Sequence, residues 1–146
     1  MEKTITVTQS KAVPEGGAEI VFDIATIATE LNWEDSKAYK TIEKDGVTLT
    51  AEGAGNTAKY YKNGNNWRFY QKDNSKLNIS VSDNLTFVSV KFEYSVTNTG
   101  VLVDSSNAQV ASGSESSDQS FGVANTGSAD NGQVRFTKIV VTVTAK

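Results

Sequence analysis

The sequence predicts an all-β protein: an antiparallel two-sheet β-sandwich of jelly-roll type, with at most one short helix. Three observations carry this. Segments of alternating apolar and polar residues recur along the chain, as in residues 77–81 (LNISV) and 86–94 (TFVSVKFEY). Turn residues such as Asp45-Gly46, Asn63-Gly64 and Asp83-Asn84 punctuate them at the spacing of a sandwich. Helical periodicity is confined to one place, so the strand–helix alternation of a parallel sheet is absent. An immunoglobulin-like sandwich is the second choice, and the lack of a Cys…Trp…Cys frame counts against it. At 146 residues the chain reads as a single domain, residues 1–146, long enough to bury a real core.

In chain order, residues 4–8 (TITVT) set Ile5 and Val7 among threonines as a half-buried strand, and Pro14 lies with Gly16 and Gly17 in a loop. Residues 18–24 (AEIVFDI) form the next strand. Ile24, Ile27, Ala28 and Leu31 then follow helical spacing, with Asp23 as N-cap, for one short helical turn or irregular loop ending before Trp33. Residues 39–43 and 47–51 flank a hairpin turn at Asp45-Gly46, and residues 53–56 make a second turn. In residues 86–94, Val88, Val90, Phe92 and Tyr94 take one face. Residues 98–132 contain no Lys or Arg and are rich in Ser, Asn and Gly. Residues 101–103, 109–111 and 120–123 nevertheless recur at strand spacing, which favours short strands with serine-rich turns. In residues 133–144 the apolar phase changes near Thr137, which predicts a bulge or bend. The expected core is Ile20, Phe22, Leu49, Leu77, Ile79, Val88, Val90, Phe92, Phe136, Ile139, Val141 and Val143.

Residues 59–71, KYYKNGNNWRFYQ, hold most of the Tyr and Trp of the chain. They read as an aromatic β-hairpin, with residues 58–62 and 67–71 as strands. Alternation puts Trp67, Phe69 and Gln71 on one face and Arg68 and Tyr70 on the other. Rings can lie flat against the apolar faces of sugars, and the expected ligand-binding residues are Tyr60, Tyr61, Trp67, Arg68 and Tyr70. Against this, Trp67 and Phe69 are by size core residues, and Arg68 has the simpler option of stacking on a Tyr. Trp33, in the polar context NWED, is expected to be the most exposed aromatic.

That hairpin and the C-terminal stretch NTGSADNGQVRFTKIVVTV resemble a β-sandwich module of secreted and surface proteins from gut bacteria. In that module a Tyr-Tyr turn leads to a Trp-Arg-aromatic-Tyr strand, and a Gly-Gln-Val-Arg strand runs into an Ile-x-Val-Thr-Val tail. The similarity starts around Ile20 and covers most of the chain. One departure is Gln71-Lys72-Asp73, where the module commonly has a Gly-rich turn. The resemblance implies a jelly-roll-like fold, similar in outline to carbohydrate-binding modules. It also implies an extracellular binding or spacer role, without a catalytic motif.

Composition narrows the chemistry. There is no Cys and no His, which removes disulfides, thiolate and imidazole metal sites, and the usual nucleophile–base triads. The chain is therefore expected not to be an enzyme. The carboxylates Glu30, Glu34 and Asp35 invite a glycosidase reading, but nothing in their spacing puts a pair across one bond. Asp73-Asn74, Asp83-Asn84 and Asp130-Asn131-Gly132 could offer oxygens to calcium, but Asx-turn chemistry explains each, and no metal or cofactor is expected. A net charge of −3 argues against nucleic acid as a partner, and no apolar run is long enough to insert in a membrane.

The expected function is thus a non-catalytic extracellular module that binds carbohydrate or glycoconjugate. The alternative is a structural module, a surface-protein spacer or a virion or filament coat component. The expected partners are a glycan, or other domains or subunits of such an assembly. No signal peptide is apparent at the start of the sequence, so a cell-surface location implies an excised domain, and a native Met1 would favour a virion or filament.

Overall fold

A computed structural model describes residues 17–128 and 131–146. The strand expected at residues 4–8, the Pro14 loop and Asp130 lie outside the described residues. The chain runs β1 (Ala18–Asp23), α1 (Ile24–Glu30), β2 (Lys37–Ala38), β3 (Thr41–Lys44), β4 (Val47–Glu52), β5 (Lys59–Tyr61), β6 (Asn66–Tyr70), β7 (Lys76–Val81), β8 (Leu85–Thr97), β9 (Gly100–Asp104), β10 (Glu115–Ser116), β11 (Ser120–Asn125) and β12 (Gln133–Ala145). The larger sheet has the order β10-β8-β12-β6-β5-β2, with β1 on the second half of β12, and the smaller is β3-β4-β7-β11-β9. All pairings are antiparallel, and the two sheets form a sandwich.

From β6 onward every connection crosses from one sheet to the other. The result sets β6-β12-β8-β10 against β7-β11-β9, with a bridge from Val103 to Gln109 beside β9. This interleaving is jelly-roll winding, as expected. The earlier strands widen the frame, β3 and β4 beyond β7, and β5 and β2 beyond β6.

Local chemistry explains the elements. Asp23 caps α1, its carboxylate accepting from the Thr26 N–H at 3.1 Å, and Ile24, Ile27 and Ala28 bury against the core. The β3–β4 turn has Asp45 at φ 48° and Gly46 at φ 86°, the mirror-image turn that suits strand twist. Between β5 and β6, Gly64 (φ 90°) and Asn65 (φ 47°) take the positive φ instead. A string of rings crosses the interior: Trp67–Phe69, Phe69–Phe136, Phe136–Phe92 and Phe92–Phe121 have centroids 4.9, 5.1, 5.3 and 4.8 Å apart. Such offset and edge-on contacts add to the burial of each ring.

Eleven of the expected core residues are buried; Val88 is not, at 44 % exposure. The reason is a register shift. Thr142 pairs with Ser89 and Val143 with Phe87, so Val88 is the extra residue of a bulge and turns outward. Phe87 packs on the core in its place. The bulge expected near Thr137 is present, because Phe136 pairs with Tyr94 and Lys138 with Glu93.

Four further expectations need correction. Leu31 is the C-cap of α1 and 57 % exposed, because the helix ends one residue earlier. Trp33 is buried at 9 %: its backbone N–H donates to the Ala28 carbonyl, and its ring stacks on Tyr39 at 4.5 Å. Its neighbours Asn32, Glu34 and Asp35 face water instead. The strand expected over residues 39–43 breaks at Tyr39–Lys40, where the chain leaves one sheet for the other. Residues 109–111 supply a single bridge at Gln109, whereas β10 was not anticipated.

Candidate functional site

The aromatic hairpin forms β5 and β6, and the register divides its side chains between two surfaces. The inner row across four strands is Tyr60, Trp67, Phe136 and Tyr94. The next row, facing the other way, is Ala38, Lys59, Arg68, Arg135 and Ser95. Three cations therefore stand side by side on adjacent strands of the outer face. Tyr61 and Asn66 lie on one side of that row, and Tyr70, Gln133 and Thr97 on the other.

Arg68 lies over the ring of Tyr61, its guanidinium carbon 3.7 Å from the ring centroid, and its Nε donates to Asn66 Oδ1 at 2.7 Å. Arg135 donates to Gln133 Oε1 from Nη2 at 3.1 Å and, more weakly, from Nε at 3.4 Å. Both arginines are partly exposed. Burial, and then the charge of Arg68, lower the pKa of Arg135, with Tyr70 and Tyr61 acting in the opposite direction. Burial and then Tyr61 raise the pKa of Tyr70, while Arg68 pulls it back down. These groups form one electrostatically coupled cluster.

The five expected binding residues thus separate. Tyr60 is 2 % exposed, its hydroxyl donating to Asn65 Oδ1 at 2.6 Å. Trp67 is wholly buried, and its Nε1 donates to the Tyr39 carbonyl at 2.8 Å. Tyr70 is 6 % exposed. Burial leaves these rings no face on which a ligand could stack in this structure. Tyr61 and Arg68 keep solvent-facing surface, stacked on each other.

Lys59, Gln133 and Arg135 join them and were not singled out from the sequence. Arg135 alternates with the apolar Val134 and Phe136, which was enough to turn it outward. Its place beside Arg68 depends on strand pairing between residues far apart in the chain.

Two of the carboxylates singled out from the sequence have structural partners. Glu34 pairs with Lys37 at 3.5 Å, and Asp35 accepts from the Lys62 N–H at 2.8 Å. Among the described residues, no group of three or more His, Cys, Asp or Glu could hold a metal ion. No helix among them is long and apolar enough to cross a membrane. Comparison with family models, curated proteins and solved structures finds no match to the chain.

Proposed function

We propose that the protein is a non-catalytic binding module for a glycan or glycoconjugate, and that the ligand lies on the outer face of β5, β6 and β12. The observation that carries this reading is the Tyr61–Arg68 stack, set beside a row of polar side chains on the outer sheet face. Stacked ring and guanidinium offer an amphipathic plane for the apolar side of a sugar. Gln133, Ser95 and Thr97 provide donors and acceptors for hydroxyls around it. Because the neighbouring rings are core, this plane sits on a rigid support and loses little entropy on binding. A surface or secreted assembly is the setting that suits such a module.

A glycan array probed with the labelled protein tests the reading, followed by titration of any hit. At least one glycan family should be retained reproducibly. Tyr61→Ala should weaken that hit by about 1–2 kcal/mol, roughly five- to thirtyfold, the usual loss for an anchoring ring. An empty array, or a hit that binds Tyr61→Ala unchanged, would overturn the proposal and leave a purely structural role. Turnover of the bound glycan by the pure protein would contradict its non-catalytic part.

A further inference from the structure

Arg68 and Arg135 are direct register partners on the antiparallel strands β6 and β12, and Arg68 also pairs with Lys59 on β5. Side chains so placed start roughly 4.5–5.5 Å apart at Cβ, and like charges facing each other at that distance are unfavourable. A fold normally relieves such a row by interleaving carboxylates, yet Ala38 and Ser95 flank this one. Among the described residues the only ion pair is Lys37–Glu34, at 3.5 Å and away from this row. Among the described residues the groups that reach the two guanidiniums are neutral: the amide oxygens of Asn66 and Gln133, and the Tyr70 hydroxyl beside Arg68. The amide oxygens engage the Nε of Arg68 and one side of Arg135, and leave N–H donors of both forks for another acceptor. The ring of Tyr61 holds Arg68 in a fixed plane, so its fork is preorganised. The whole chain carries a net charge of −3, which makes a cationic row on one face a local feature.

We propose that Arg68 and Arg135 together form a receptor for an oxyanion, a carboxylate or sulfate, and that the ligand is an acidic glycan. Paired guanidiniums suit this chemistry because each can bind a planar or tetrahedral oxyanion through two parallel hydrogen bonds. The incoming negative charge also relieves the repulsion between them. Lys59, at the end of the row, adds attraction without a fixed geometry. The inference rests on the glycan-binding reading above and specifies which glycans.

The experiment is a titration of the full chain, isotopically labelled, with the arginine Nε–Hε resonances followed by NMR. The probes are sodium sulfate, sodium glucuronate, a sulfated oligosaccharide, a polyuronate oligosaccharide and neutral oligosaccharides. The acidic oligosaccharides should shift both Arg68 and Arg135, and bind at least tenfold more tightly than the neutral ones. Arg135→Gln should lower that affinity by tenfold or more while its thermal midpoint stays close to wild type. Raising the salt should weaken binding. The sulfate and glucuronate arms, compared with their oligosaccharides, distinguish which oxyanion is preferred.

If the neutral oligosaccharides bind as well as the acidic ones and Arg135→Gln has no effect, the glycan reading stands and the anion receptor is refuted. If the free anions shift both arginines but no oligosaccharide binds, the receptor stands and the glycan reading fails. If no probe moves either resonance, both fail.

Discussion

Replacing Trp67 by Phe separates the two roles that the aromatic hairpin could have had. Trp67 is wholly buried, and its indole N–H donates to the Tyr39 carbonyl at 2.8 Å. Phe keeps an aromatic ring in contact with Phe69 but removes the donor, and an unsatisfied, partly buried carbonyl costs about 1–3 kcal/mol. A residual void of ~40 Å³ at ~24 cal/mol per Å³ adds ~1 kcal/mol. The expected loss is about 2–4 kcal/mol, which for a chain of this length lowers the midpoint by roughly 6–12 °C. Urea denaturation and thermal melting followed by circular dichroism measure it. Tyr61→Ala is the control, since it removes a half-exposed ring and one cation–π contact worth about 0.5–1 kcal/mol. A Trp67→Phe protein within 0.5 kcal/mol of wild type, by the ~1 kcal/mol spread of ordinary substitutions, would refute the burial argument.

Other perturbations probe the frame. Val88→Thr should change stability by less than about 0.5 kcal/mol, whereas Phe87→Ala should cost about 1–3 kcal/mol; the reverse order in urea midpoints would contradict the bulge. Gly100→Ala would put a Cβ 2.5 Å from the Gln133 nitrogen and 2.7 Å from its oxygen, forcing β9 and β12 apart. A loss of about 1–3 kcal/mol is expected, and a stability equal to wild type would show that the two strands can part freely. Asp118 accepts hydrogen bonds from the hydroxyl and N–H of Ser105, which hold its carboxyl below the ordinary 3.8. Its contribution is therefore complete above that ordinary value and is lost as the pH falls through the lowered one. Asp118→Asn should accordingly flatten part of the acid limb of a urea-midpoint series; an unchanged limb would show that this carboxylate has no share in it.

Most of the strand pattern was legible because period-two alternation is a local property. Leu77 and Ile79 alternate cleanly and are buried, and the phase change at Thr137 marked a real bulge. The bulge at Val88 left no such mark, since Phe87 and Val88 are both apolar and either could face inward. Trp33 misled because polar neighbours describe a loop's exposure, while the ring's own position follows from the turn that brings it onto Tyr39. The candidate face was half legible. Tyr61 and Arg68 belong to one hairpin and could be read together. Arg135 comes from a strand more than sixty residues downstream, and only the β6–β12 register brings it to Arg68.

The most direct test of the central claim, that the outer face of β5, β6 and β12 is where the protein binds, is chemical-shift mapping with a glycan retained on the array. Perturbations are expected to cluster at Lys59, Tyr61, Asn66, Arg68, Gln133 and Arg135, with the buried Trp67 and Phe69 little moved. Perturbations confined to the loops joining β8 to β9 and β9 to β10, with that face silent, would contradict it.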